Sequence, residues 1–139
     1  MPKGATDFRR RLLPWGAPIV IAHYLVVLWH VVLLVKVQPA FPVLAIGLLL
    51  LINLLPVAGL FTLAKGFPKS AAGMIILPFG IALVIGGYTH FLSAGSDNVL
   101  RMAPSESTLP FQLSAVVLAL LEALGCWFGF KVLVSAPTP

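Results

Sequence analysis

Charge is scarce in this sequence: Asp, Glu, Lys and Arg together make up 9% of 139 residues, and only four of them are acidic. Soluble domains carry about 25% charged residues. A chain that is 60% hydrophobic, with mean hydropathy +1.05, lacks the polar surface such a fold requires and is expected to be an integral membrane protein. Cysteine is nearly absent. The single Cys126 lies in an apolar run, which excludes an intrachain disulfide framework and any CxxC metal spacing. Also missing are a serine elbow, a Walker loop, an HExxH helix and a glycine-rich dinucleotide signature, so no familiar catalytic motif marks a reaction.

What the sequence has in plenty is long apolar runs. Crossing the hydrocarbon of a bilayer takes about 20 residues of helix, and the periodicity and punctuation predict helices at about 17–37, 42–64, 71–93 and 111–134. Proline ends the first run at Gln38-Pro39-Ala40-Phe41-Pro42, and Lys65-Gly66-Phe67-Pro68-Lys69-Ser70 separates the second from the third, with Ser70 expected as N-cap. Connections this short make sequence neighbours antiparallel. The expected fold class is therefore all-α: one domain, a four-helix transmembrane bundle running up-down-up-down. Only the break from Ser93 to Pro110 has room for structure of its own, such as a turn of helix from Ser96.

The cations set the expected orientation. Lys3, Arg9, Arg10, Arg11, Lys65, Lys69 and Lys131 fall on one side and Lys36 and Arg101 on the other, so the majority of the nine Lys and Arg assigns both termini to the cytoplasm of a plasma (inner) membrane. Topology and anionic lipid then account for the basic balance, and no nucleic-acid partner is implied. The first helix is expected to be retained: it is too long for a signal-peptide core, and Gln38 stands where a cleavage site wants a small residue.

Polar residues inside the runs are the candidates for function. Glu122 stands out, because an ionised carboxyl at the bilayer centre costs about 2.5–3.5 kcal/mol even on lenient scales; it must be protonated or paired. A rise of 1.5 Å per residue puts His30, Asn53 and Glu122 at roughly 20, 17 and 18 Å from the cytoplasmic ends of their helices. This predicts a polar core cluster in which Glu122 accepts from His30 or Asn53. The cluster either fixes helix register or forms the floor of a ligand pocket or proton relay. His23 and His30 share one helix face, and His90 lies roughly 8 Å higher than His30 by the same arithmetic, so the spacing disfavours bis-histidine haem ligation. No metal and no cofactor is expected, since neither HxxxH nor ExxH spacing occurs.

Small residues recur at sevens: Gly73, Gly80 and Gly87 along the third helix, Ala115, Glu122 and Gly129 along the fourth, with Gly125 completing a GxxxG. Close approach of these two helices is expected, with Gly80 and Gly87 facing Gly125 and Gly129. Pro56 and Pro78 predict kinks that open space near Asn53 or serve packing. At the outer rim His90, Asp97 and Arg101 form a second candidate site for acid–base work or anion binding, set against a simple Asp97–Arg101 surface pair. The leading expectation is a non-enzymatic module that binds an apolar small molecule or lipid, or serves as accessory subunit of a larger membrane complex. The alternatives are an enzyme acting on a lipid or isoprenoid-like substrate, with Glu122 or His90 handling the proton, and a proton-coupled carrier working as a homo-oligomer.

Overall fold

The computed structural model describes residues 3–38, 43–95 and 98–136, with side chains from Leu12 onward apart from Leu48. Among these residues the chain is helical, without a strand: α1 (Lys3–Val37), α2 (Val43–Asn53), α3 (Leu55–Ala64), α4 (Pro68–Gly87), a π-helical turn (Tyr88–Leu92) that prolongs α4, and α5 (Thr108–Val134). Four stretches, Leu12–Val37, Val43–Ala64, Pro68–Leu92 and Thr108–Val134, are long and apolar enough to cross a membrane. Large apolar side chains such as Leu77, Val84 and Leu120 lie exposed on their outer faces. Such a surface suits lipid and would aggregate in water.

α1 begins well before the expected residue 17 and runs through Pro14 and Pro18. Each proline deprives the carbonyl four residues earlier of a donor, that of Arg10 and that of Pro14. Both carbonyls lie at the start of the span or just before it, where the headgroups and water of a bilayer would satisfy them. The second span breaks at Leu54. Pro56 has no N–H to offer Ile52, the chain tightens with Leu54 N bonding Leu51 O at 3.1 Å, and the helix resumes as α3.

Between α3 and α4 the chain turns on Gly66, whose φ of 92° requires glycine. Its N–H bonds Leu63 O at 3.0 Å and that of Phe67 bonds Thr62 O at 3.1 Å, a paired closure of the helix end. Pro68 then starts α4 with Phe67 as N-cap. Ser70 therefore sits inside the first turn and is not the cap, because a proline at the first helical position is already set in helical φ.

Three apolar clusters hold the bundle. Val20 of α1 and Leu63 of α3 pack with Ala71, Ala72, Ile75 and Phe79 of α4 and with Phe128 and Val132 of α5. At the other end Leu33 and Leu34 meet Phe111, Ala115 and Val99, the last from the loop before α5. Val27, Val31 and Leu118 join α1 to α5 midway, with Leu49 and Leu50 of α2 against them. The start of α1 thus lies beside the end of α5, and the two run antiparallel.

α4 and α5 are close, as their small residues led one to expect, but the partners differ. A Cβ on Gly125 would stand 2.5 Å from the Phe79 ring, and one on Gly129 would stand 2.6 Å from Ile76 and 3.1 Å from Ile75. Gly80 would reach only Cys126 Sγ at 3.9 Å, and Gly87 would meet nothing within 4 Å. Instead of glycine on glycine, bulky side chains of α4 fill hollows that glycine leaves on α5.

Candidate functional site

α3 packs along α4, whereas α2, beyond the break at Leu54, barely touches it. The hairpin is closed where Gly59 meets Ile75 and Ala71 and splayed above. In the splay, roofed by α1 and α5, lies a cavity of about 420 Å³. Its wall is mostly apolar, from Val27, Leu49, Ile81, Ile85, Phe91 and Leu118, and is broken by His30, Asn53, Thr89, His90 and Glu122. His30, Asn53 and Glu122, on three spans, thus border one space. Relative exposures of 4%, 8% and 7% keep them from lipid.

Their partners differ from those expected. Glu122 does not accept from His30 or Asn53; its Oε1 stands 3.6 Å from Nε2 of His23, within ion-pair range. The reason is the early start of α1. Counted from Leu12, His23 is about 17 Å along its span and Glu122 about 18 Å from the end of its own, whereas His30 is about 27 Å along. His23 is buried against Phe79, ring centroids 4.6 Å apart and edge to face. Asn53 bonds within its own helix, Nδ2 donating to Leu49 O at 2.8 Å, and its Oδ1 has no hydrogen-bond partner among the described residues.

His30 is held by α5. Its Nδ1 lies 2.8 Å from Ser114 Oγ, and that hydroxyl donates to Phe111 O at 2.8 Å. A hydroxyl has one proton. Both contacts are hydrogen bonds at once only when the hydroxyl donates to Phe111 O and accepts from the imidazole, the arrangement that puts the His30 proton on Nδ1 and leaves Nε2 its lone pair. Nε2 is buried and unpaired.

His90 stands in the last turn of its span, half-buried and turned toward the cavity. Its ring lies 5.0 Å from that of His30 and 5.5 Å from that of Phe111, edge-on to both, and it borders the cavity. The π turn is the cause: Ser93 N reaches back five residues to Tyr88 O at 2.8 Å, the wider turn changes the angular register past Gly87, and Thr89 and Ser93 hydroxyls bond the loosened carbonyls. Arg101 is exposed, while Asp97, and the turn expected from Ser96, lie outside the described residues. The loop after the π turn folds inward on hydrogen bonds from Val99 N to His90 O at 2.8 Å and from Gln112 Nε2 to Val99 O at 2.6 Å.

Among the described residues no group of three or more His, Cys, Asp or Glu stands together as a metal site. The His30 and His90 rings are in direct contact, which leaves no gap for an iron between them. His23 and Ser114 were missed as members of the polar core; a helix start at Leu12 would have revealed His23, whereas Ser114 carries no signal in the sequence. Comparison with known protein families, characterised proteins and solved structures finds no match to this chain.

Proposed function

We propose that this protein is a membrane module that holds a small apolar molecule or lipid in the cavity between α2 and α4. One observation supports this reading above others: a cavity of about 420 Å³, mostly apolar with a few polar side chains in its wall, matches small-molecule sites, which run to about 300–1,000 Å³. Ile52, Ile81 and Ile85, all of which contribute to the wall, are also exposed on the outer faces of α2 and α4. An apolar ligand would therefore enter sideways, from the bilayer.

Mass spectrometry of small molecules retained after gentle purification tests the proposal. One species should co-purify in near-stoichiometric amount and be lost from Ala119→Phe, which fills the cavity. Identical lipid profiles from both proteins, matching the bulk membrane, would refute it. A second reading is an enzyme acting on a lipid or isoprenoid-like substrate, favoured by His90 and Glu122 bordering one cavity. Conversion of the retained species to a product on incubation would select it.

The proposal includes an orientation with both termini in the cytoplasm of a plasma (inner) membrane, supported by the asymmetry of the nine Lys and Arg. In a Cys126→Ala background, a membrane-impermeant thiol reagent applied from outside should label a cysteine at Arg101 and spare one at Lys69. The opposite pattern inverts the topology.

A further inference from the structure

Two polar groups of the cavity wall, His30 and Asn53, share a property that narrows its occupant: each offers a lone pair that no donor within hydrogen-bonding distance takes up. His30 Nε2 is an acceptor because Ser114 and Phe111 fix the proton on Nδ1, and it is buried without a partner. Asn53 Oδ1 is an acceptor because the other end of the amide must donate to the Leu49 carbonyl. A buried acceptor without a donor is costly, so His30 Nε2 is complementary to a ligand that brings a proton to share.

Charge narrows the ligand further. Glu122 already has His23 at 3.6 Å. Hydrocarbon favours the state in which this pair holds a single proton between carboxyl and imidazole and is net neutral. A cationic ligand would add an unbalanced charge to this space.

Resting on the reading of the cavity as a ligand site, we infer that its occupant is a neutral, hydroxyl-bearing apolar molecule whose O–H donates to His30 Nε2, with Asn53 Oδ1 as a second acceptor at the wall. The hydrocarbon body occupies the apolar space toward Leu49, Ile81 and Leu118. Ser114 acts as a positioning residue: it touches no ligand and sets which imidazole nitrogen carries the lone pair.

Binding of radiolabelled decanol, decyl methyl ether and decylamine to the full-length protein in nanodiscs tests this. The three share a chain and differ in the headgroup, a neutral donor, an acceptor only, and a cation. Decanol should bind about tenfold tighter than the ether, the worth of one hydrogen bond in a dry site, and tighter than the amine. His30→Phe, which keeps a ring to stack on Phe111, should abolish the preference for decanol over the ether. Equal binding of decanol and ether would overturn the donor inference and leave the cavity reading intact. Tighter binding of decylamine would overturn neutrality, and an undiminished decanol preference in His30→Phe would remove His30 as acceptor. Failure of all three to bind would count against the cavity reading itself.

Discussion

α3 and α2 belong to one membrane span and differ sharply in how they meet α4. Along α3, Gly59 lets the backbone approach Ile75 and Ala71, and the Phe79 cluster fills the interior. Along α2, past the break at Leu54, α4 is out of reach and the space between is a cavity bordered by two histidines, an asparagine and a glutamate. Small residues close one half of the bundle and proline opens the other. In lipid, where no hydrophobic force drives helices together, contact forms only where shape permits it, so local residue choice decides which half is solid.

Within the solid half, the sharpest effect is expected at Gly125. Its added Cβ would lie 2.5 Å from a fully buried Phe79 ring, so Gly125→Ala should destabilise the bundle by about 1–3 kcal/mol, as overpacking does. Gly87→Ala, with nothing within 4 Å, should change stability by less than about 0.5 kcal/mol. Thermal unfolding in mild detergent measures both, and equal effects would erase the contrast between the two halves.

Glu122 stands where the halves join and tests whether the polar core works or merely fits. Glu122→Gln keeps the shape and a hydrogen-bonding group beside His23, so the protein should fold while ligand retention falls. His23→Leu removes the imidazole that stands within ion-pair range of the carboxyl and should cost more stability, about 3–5 kcal/mol for a broken buried pair. Equal loss of stability in both, by unfolding, would make the pair purely structural.

A smaller, more selective effect is expected at the break. Pro56→Ala restores the missing N–H for Ile52 and should straighten α2 toward α4. Stability should change by less than about 1 kcal/mol, while ligand retention drops as the cavity narrows. Retention unchanged from the parent would show that the splay does not depend on the proline.

The halves were not equally legible beforehand. The four spans, their short connections and the closeness of α4 to α5 follow from run length, proline and glycine, because in a bilayer each spanning helix must satisfy its own backbone and announces itself by composition. The cavity wall was partly legible: His30, Asn53 and Glu122 stand out as polar side chains in hydrocarbon. Their pairing was not. It depended on where α1 begins, and Pro14 and Pro18 disguised that start by standing inside a helix that tolerates them at the membrane boundary.

Sequence by itself determined the solvent, the number of spans and which side chains must hide from lipid, since each of these is a property of a segment and its transfer free energy. Tertiary structure alone decided that Glu122 meets His23, that Phe79 fills the hollow at Gly125, that the π turn carries His90 inward and that Ser114 fixes the proton of His30. Those outcomes depend on the axial offset and rotation of one helix against another. A shift of one turn moves a side chain by about 5.4 Å, more than any hydrogen bond spans, and no single segment encodes that offset.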